Sequence, residues 1–256
     1  PVLAPHPHAI IKAVHTEEAM ATPGVVRVLT AADVPGKKHY SFQNDREVLC
    51  EKTRYIGDMV AVVVAETEEA ARIGAGRIVS DFEPLTIITD PERVIQGGYD
   101  SQVHAKGDIL KEIHYTNGDV EAIFGADGMV VLEQNYHLQI MDHAFLETEA
   151  AAAFPQNGGV RIISGAQSAC YNQFQVAECL GLPMDKVQTV EPQTGGAFGG
   201  KANLAVHIVT ALAALLTGKP CRMAWTRRER FLAGIKRHPL KITMKCAADR
   251  GGVLTA

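Results

Sequence analysis

The sequence lacks the cysteine pairs and ligand spacings that mark a protein built around disulfides or a side-chain-bound metal. Its 256 residues include five cysteines, which are far apart and form no C-x-x-C pair. An odd number of scattered thiols is typical of reduced cysteines in a cytosolic protein. The ten histidines show no metal-ligand spacing either. We therefore expect no metal ligands among the side chains, and we expect every histidine to be solvated or hydrogen-bonded.

Massed charge of one sign is also missing. The formal net charge is −4, and basic residues are scattered apart from Arg227, Arg228 and Arg230. These arginines flank Glu229, and we interpret them as the start of a solvated helix rather than as a phosphate clamp. The overall charge gives no general attraction to nucleic acid or to an anionic membrane. We find no secretory signal and expect no membrane span. The scattered reduced cysteines lead us to expect a cytoplasmic protein.

The first 97 residues have the pattern of a small α/β unit. The apolar run from Met59 to Ala65 predicts a strand covered on both faces. Thr16 and Thr67 each precede a helix with an acidic first turn, and we expect both hydroxyls to cap those helices. Alternating strands and helices predict helices packed on a mixed sheet. The polar stretch from Gly97 to Gly107, with glycine at both ends, then marks a linker, which we place at residues 98–116.

Residues 117–256 predict the first part of a second α/β unit. The stretch from Asn203 to Leu216 is apolar on nearly every face, as in a buried helix. From Leu240 to Cys246 apolar and polar residues alternate, as in a half-exposed strand. The turn after it leads to a strand that has barely begun at Ala256. We therefore expect the chain to be a fragment of something larger, or one subunit of it, with a mixed α/β (α+β) fold.

The most informative stretch is the glycine loop, Gly195-Gly196-Ala197-Phe198-Gly199-Gly200-Lys201, which is followed at once by the apolar helix. Glycine contributes no burial, but it lets backbone N–H groups lie close to a ligand. The start of a helix adds unpaired donors and partial positive charge, which suit anionic or oxo groups. The pattern therefore predicts a binding loop.

Two other interpretations of the glycine loop stay open. Gly195 to Lys201 matches a Walker A motif up to its last position, where Ala202 has no hydroxyl for Mg²⁺. A dinucleotide-binding fingerprint is excluded, because Ala197 stands where its second glycine belongs. The loop is otherwise explained as a structural turn that precedes a buried helix.

Several motifs occur together and in one order along the chain. They are Pro5-His6-Pro7-His8-Ala9, Pro23-Gly24-Val25, Arg54-Tyr55-Ile56-Gly57, Met141-Asp142-His143-Ala144-Phe145-Leu146-Glu147-Thr148, Gln167, the glycine loop and Arg237-His238-Pro239. With them the chain resembles the xanthine dehydrogenase and aldehyde oxidoreductase family over almost its whole length. The resemblance implies an α/β hammerhead domain at residues 1–97 and the first part of a molybdenum-cofactor-binding α/β domain at residues 117–256.

The resemblance also implies a cofactor site. In the family, the glutamine at the position of Gln167 hydrogen-bonds an oxo ligand of molybdenum, and the N–H group at the position of Gly199 contacts the metal's apical ligand. The aromatic residue at the position of Phe198 walls the substrate pocket, and Gly196 and Ala197 belong to the same cofactor-binding loop. The implied cofactor is a molybdenum–pterin dithiolene (molybdopterin), with a cytosine dinucleotide form in bacterial members. Its sulfurs, rather than side chains, hold the metal.

The implied reaction is hydroxylation of an N-heterocycle or an aldehyde with oxygen from water. Electrons leave through iron–sulfur clusters and FAD on partner domains or subunits, and the remaining molybdopterin domain supplies most pterin contacts. The general-base glutamate is expected downstream, so we expect this stretch alone to be inactive, and we interpret Glu147 and Glu149 as structural. Ala202 replaces the glutamate that holds purines in xanthine-oxidising members, which argues against that binding mode. A non-catalytic scaffold subunit is the alternative.

Overall fold

In the computed structural model, which describes residues 1–256, the chain divides into two units. The larger unit combines residues 1–108 with residues 143–235, and the smaller unit combines residues 109–142 with residues 236–256. Each unit is therefore made of two separate stretches of chain. The mixed α/β class predicted from the sequence is confirmed.

Short strands and helices alternate along the first stretch of the larger unit. In chain order they are β1 (Val2–Leu3), β2 (Ala9–His15), α1 (Glu17–Met20), β3 (Val25–Leu29), β4 (His39–Tyr40), β5 (Arg46–Glu47), β6 (Lys52–Thr53), β7 (Met59–Ala65), α2 (Glu68–Ala75), β8 (Val79–Pro84) and α3 (Pro91–Ile95). Antiparallel pairing gives two three-stranded sheets, ordered β1-β7-β3 and β6-β2-β8, and a β4–β5 pair.

The predicted strand β7 is confirmed, and five of its seven residues are buried. The hydroxyl of Thr67 accepts the N–H group of Ala70 at 3.1 Å and caps α2 as predicted. The prediction for Thr16 is wrong, because its side chain makes no capping hydrogen bond. Thr16 has φ −110° and ψ −7°, whereas a capping residue normally needs an extended backbone to aim its oxygen at the first turn.

The remaining elements follow in chain order. They are α4 (Val120–Phe124), β9 (Val130–Leu138), β10 (Ala150–Gln156), β11 (Gly159–Ser164), α5 (Ala169–Leu180), β12 (Val187–Val190), α6 (Ala205–Thr217), β13 (Cys221–Ala224), α7 (Arg227–Ala233) and β14 (Leu240–Ala248). In the larger unit, β12-β11-β10-β13 form one sheet, in which only β11 and β12 run parallel. Helix α6 packs on this sheet, and its first ten residues are all buried.

Two expectations from the sequence are wrong in the region of helix α6. The stretch Gly200–Thr217 has the length and apolar composition of a membrane span, contrary to prediction, but 78% of it is buried inside the protein. Burial in a core explains that composition. His207 on α6 is only 3% exposed, and neither ring nitrogen has a hydrogen-bond partner, so the expectation of a solvated or hydrogen-bonded histidine is wrong there. Desolvation lowers the pKa of His207 to about 4.

The smaller unit is built on a two-stranded antiparallel ribbon of β9 and β14, paired over nine residues in each strand. Every residue of β9 is exposed, and in β14 so are Leu240 to Lys245. The alternation in this segment predicts one buried face, and that prediction is wrong. Within its unit only the short helix α4 packs against the ribbon, where the centre of the Phe124 ring lies 4.4 Å from Nζ of Lys245, and it leaves both faces of the strands open.

Candidate functional site

The glycine loop connects the sheet of the larger unit to its central helix. The chain leaves β12 at Val190 and crosses the loop, with a short 3₁₀ turn at Gly200–Ala202, before α6 begins at Ala205. The backbone φ angles are 91° at Gly196, 90° at Gly199 and 51° at Phe198. The left-handed region suits glycine but is costly for a side chain such as that of Phe198. Strained backbone of this kind is concentrated at functional sites.

Both ends of the glycine loop are held by side chains. The N–H group of Gly195 donates to Oε2 of Glu147 at 2.6 Å. The N–H group of Lys201 donates to Oε1 of Gln167 at 3.1 Å. Glu147 and Gln167 lie far from the loop in sequence, so tertiary contacts fix its two ends.

The four backbone N–H groups of residues 196–199 have no hydrogen-bond partner within the chain. The next N–H group, that of Gly200, donates to the carbonyl oxygen of Ala197 at 2.8 Å and closes a turn. Consecutive unpaired N–H groups are rare in folded proteins unless water or a ligand accepts them. Such a row of donors forms a concave site for oxygen-bearing or anionic groups.

The glycines of the loop serve two different purposes. A Cβ atom at Gly195 would lie 2.7 Å from Cβ of Glu147, and one at Gly200 would lie 2.5 Å from Cε1 of Phe145. These two glycines permit close packing. Gly196 and Gly199 meet nothing closer than 3.3 Å, and their left-handed backbone is what demands glycine.

Gln167 is exposed and lies three residues beyond β11, next to the glycine loop. Since its Oε1 accepts the Lys201 N–H group, its Nε2 group is left as a donor with no partner within the chain. The structure thus brings together Gln167 and the four predicted residues 196–199. The side chain of Phe198 is 78% exposed. The individual roles that the family resemblance implies for these residues stay predictions.

Lys201 does not point outward as a phosphate-binding lysine would. Its side chain is 1% exposed, and its ammonium group forms an ion pair with Glu147 and lies 5.2 Å from the ring centre of Phe145. The hydrogen bond from Lys201 and the Gly195 N–H group lower the pKa of Glu147. This geometry disfavours the Walker A interpretation, because the required cation is already neutralised inside the protein.

The expectation that Arg227, Arg228 and Arg230 all lie on a solvated helix is wrong for Arg230. Its side chain is fully buried, its Nε lies 3.2 Å from Oε1 of the buried Glu149, and its Cζ lies 4.4 Å from the ring centre of Phe145. Sequence reasoning missed this residue and Lys201 as supports of the loop. Phe145, Glu147 and Glu149, which contact these two side chains, all lie in one short segment of the chain.

The His143 ring lies against the other side of the loop. A Cβ atom at Gly199 would be 3.6 Å from its Nε2, and one at Gly200 would be 3.0 Å from its Cγ. Its Nδ1 is buried without a hydrogen-bond partner. The chain contains no group of three or more His, Cys, Asp or Glu side chains placed to hold a metal ion. The site therefore offers hydrogen-bond donors, and not metal ligands, to whatever it binds.

Comparisons with known proteins match both parts of the chain. A family described as "Molybdopterin cofactor-binding domain" matches residues 102–256, and "Aldehyde oxidase and xanthine dehydrogenase, a/b hammerhead domain" matches residues 1–86. The chain is 39% identical to a probable xanthine dehydrogenase subunit of Bacillus subtilis, over 98% of this chain and 34% of that protein. It is 32% identical to the nicotinate dehydrogenase large molybdopterin subunit of Eubacterium barkeri, over 98% of this chain and 59% of that protein.

The fold is similar to that of the aldehyde oxidoreductase from Desulfovibrio desulfuricans, with a TM-score of 0.88 and 28% identity over 99% of this chain and 30% of that one. The chain thus spans between about a third and three fifths of the lengths of these relatives. The molybdopterin cofactor-binding family covers more than half of the chain. The two matched domains follow each other in the order that the sequence motifs predict. The chain therefore belongs to the molybdopterin cofactor-binding domain family, with the hammerhead domain of aldehyde oxidases and xanthine dehydrogenases preceding that domain.

Proposed function

We propose that this chain contributes part of the active site of a molybdenum hydroxylase that oxidises an N-heterocycle or an aldehyde with oxygen from water. The observation that carries the proposal is the row of four unpaired N–H groups at residues 196–199 beside the free amide donor of Gln167. One of the named relatives is a nicotinate dehydrogenase subunit, and nicotinate is an N-heterocycle, the class of substrate proposed here. The hammerhead domain at residues 1–97, the linker at 98–116 and the cofactor domain from 117 remain our proposed division.

The donor set fits a molybdenum–pterin group. Oxo groups accept hydrogen bonds, and the site offers backbone N–H groups and a neutral amide that donate without adding charge. When bound, the group supplies the redox chemistry. The N–H groups of residues 196–199 and Nε2 of Gln167 would hold and orient it, and the exposed ring of Phe198 would line the substrate pocket. We propose that the general base is a glutamate outside this set of residues.

The complete enzyme requires more than these residues. We propose that the remaining pterin contacts come from the rest of the molybdopterin domain, and that iron–sulfur clusters and FAD on partner domains or subunits accept the electrons. Both the plain pterin and the cytosine dinucleotide form suit a donor-rich loop. A cytoplasmic location is consistent with the unpaired cysteines, all five of which are free thiols.

The proposal is tested by metal analysis and by a change at Gln167. Elemental mass spectrometry of the complete protein is expected to find about one molybdenum atom per chain. Gln167→Ala is expected to lower turnover by about 100-fold, since one preorganised donor is removed, with the metal retained. Gln96, an exposed glutamine at the end of α3, gives the matched control Gln96→Ala, which leaves turnover unchanged.

Molybdenum-free protein would overturn the proposal and leave the scaffold subunit as the explanation. Full molybdenum loading with normal turnover in Gln167→Ala would remove Gln167 from the site. Tight Mg-ATP binding that is lost in Lys201→Met would favour a nucleotide site instead.

A further inference from the structure

Glu147 binds one end of the glycine loop through both its backbone and its side chain. Its backbone N–H group donates to the carbonyl oxygen of Gly195 at 3.2 Å, and its carboxylate accepts the Gly195 N–H group at 2.6 Å. A Cβ atom on Gly195 would collide with the Glu147 side chain at 2.7 Å, so the two residues are packed as closely as glycine permits. Gly195 therefore has little freedom to move relative to Glu147.

The same carboxylate oxygen holds the other end of the loop. Oε2 of Glu147 also accepts a hydrogen bond from the ammonium group of Lys201, whose side chain is almost completely buried. A buried ammonium without a partner is strongly unfavourable, so the position of the Lys201 side chain depends on this carboxylate. The ring of Phe145 lies beside the ammonium group and adds a weaker cation–π attraction. One oxygen atom thus ties together residues 195 and 201.

Fixing Lys201 also fixes the direction of the Gln167 amide. The Lys201 N–H group donates to Oε1 of Gln167, and a donor cannot be satisfied by the NH₂ end of an amide. A side-chain amide that is free to rotate presents its oxygen or its nitrogen with similar ease. With Oε1 held by Lys201, Nε2 is the end left to donate to a ligand.

We propose that Glu147 and Lys201 form a positioning pair that keeps the N–H groups of residues 196–199 and the Nε2 group of Gln167 turned toward the oxygen atoms of the molybdenum–pterin group, an inference that rests on the proposed function. Neither residue touches the reacting atoms. Glu147 closes the loop, and Lys201 transmits that closure to Gln167. This positioning role of the charge pair replaces the nucleotide-binding role that the Walker-like spacing suggests for Lys201.

Three variants of the complete protein separate charge from shape. Glu147→Gln keeps an oxygen that can accept the Gly195 N–H group but loses the charge. Lys201→Met keeps the length and apolar body of the side chain, and Lys201→Arg keeps its charge. Glu68→Gln is the matched control, because it removes a carboxylate from the surface ion pair with Arg72 in α2.

The first measurement is hydrogen–deuterium exchange of the peptide that spans the loop, made on metal-free protein. We expect the Gly195 and Lys201 amides to exchange at least tenfold faster in Glu147→Gln and Lys201→Met. Lys201→Arg should restore exchange to within threefold of the wild type, and Glu68→Gln should leave it unchanged. Unchanged loop exchange in Glu147→Gln would overturn the proposal, even if Lys201→Met fails to fold.

The second measurement is a double-mutant cycle with Gln167→Ala, read by turnover and by the electron paramagnetic resonance signal of the reduced metal. Glu147→Gln alone should lower turnover at least tenfold and shift that signal in the same direction as Gln167→Ala. In the Gln167→Ala background it should change both by less than a fifth of its effect alone. Independent, multiplying effects would overturn the transmission through Gln167.

The outcomes distinguish this inference from the proposed function. A wild-type protein without molybdenum contradicts the proposed function, and with it the assignment of the pair to a metal site. A molybdenum-loaded wild type whose loop exchange ignores Glu147→Gln contradicts the positioning pair alone.

Discussion

The loop of residues 41–45 and the glycine loop both hold non-glycine residues in the left-handed region, but they differ in how their backbone N–H groups are paired. In the loop of residues 41–45, the φ angles of Ser41 and Asn44 are 86° and 54°. In the glycine loop, Phe198 has a similar φ of 51°. The strain on non-glycine residues is therefore comparable.

The loop of residues 41–45 pairs three consecutive N–H groups within itself. Those of Gln43 and Asp45 donate to the Ser41 hydroxyl at 3.3 and 3.5 Å, and that of Asn44 donates to the Ser41 carbonyl oxygen at 3.2 Å. The glycine loop instead leaves the N–H groups of residues 196–199 unpaired. Strain alone therefore does not mark a binding site. Strain combined with a row of free donors does.

The largest expected effect comes from removing the support under the glycine loop. Arg230→Met leaves Glu149, which is 3% exposed, as a buried carboxylate without its cation. We expect the free energy of unfolding to fall by about 3–5 kcal/mol, measured by urea denaturation. The double variant Arg230→Met with Glu149→Leu should recover part of the loss, because no charge is then left unpaired. Equal stability of Arg230→Met and wild type would contradict the support role.

His207 extends the comparison to the core. Its ring nitrogens are unpaired like the N–H groups of the glycine loop, but they are buried, so we expect them to affect the pH dependence of stability. Its pKa of about 4 in the folded protein lies below the ordinary value of 6.5. The unfolded chain therefore binds a proton first as pH falls, and stability is complete above pH 6.5 and lost toward pH 4. The contribution lost is about 3 kcal/mol. In urea titrations at pH 7 and pH 4, His207→Leu should show a smaller loss than wild type, while an identical loss would refute this assignment.

Substitutions at the neighbouring glycines 199 and 200 distinguish the cost of a steric contact from the cost of a left-handed backbone. Gly200→Ala places a Cβ atom 2.5 Å from Phe145, and we expect a loss of about 2–3 kcal/mol in the free energy of unfolding. Gly199→Ala meets nothing within 3.5 Å but must adopt φ 90°, for a loss of about 1–2 kcal/mol. Thermal denaturation of the two variants checks the order. The reverse order would mean that the left-handed backbone at Gly199 costs more than the contact with Phe145 at Gly200.

The smallest effect is expected in the loop of residues 41–45. Ser41→Ala removes the hydroxyl that accepts the N–H groups of Gln43 and Asp45, which should cost about 1 kcal/mol of stability. Molybdenum content and turnover of the complete protein should not change, in contrast to Gln167→Ala. A loss of metal in Ser41→Ala, relative to the exposed control Gln96→Ala, would show that the two loops do not differ in function.

Local patterns in the sequence predict much of the fold. The run Met59–Ala65 is a buried strand, Thr67 caps α2, and the apolar stretch before Gly218 is a buried helix. The proximity of Gln167 to the glycine loop also follows from the family resemblance, and the structure places the two within hydrogen-bond distance. These features depend on residues close in sequence or on motifs that occur together.

The features that sequence reasoning misses depend on long-range packing. Nothing near Arg230 in the sequence shows that Glu149 and Phe145 neutralise and cover it, so it resembles a surface arginine. Alternation along Leu240 to Lys245 predicts a half-buried strand, but a face is buried only if another layer covers it. The burial of the Lys201 ammonium depends in the same way on Glu147, which lies 54 residues away.

The anchoring of the glycine loop by contacts within its own chain has a thermodynamic consequence. The conformational entropy lost in shaping residues 196–199 is spent when the polypeptide folds, because Glu147, Lys201 and Gln167 order the two ends of the loop. Little further ordering is then needed when a ligand arrives, so more of the hydrogen-bond energy is expressed as affinity. Such a receptacle is suited to a cofactor that is inserted late, into a polypeptide that has already finished folding.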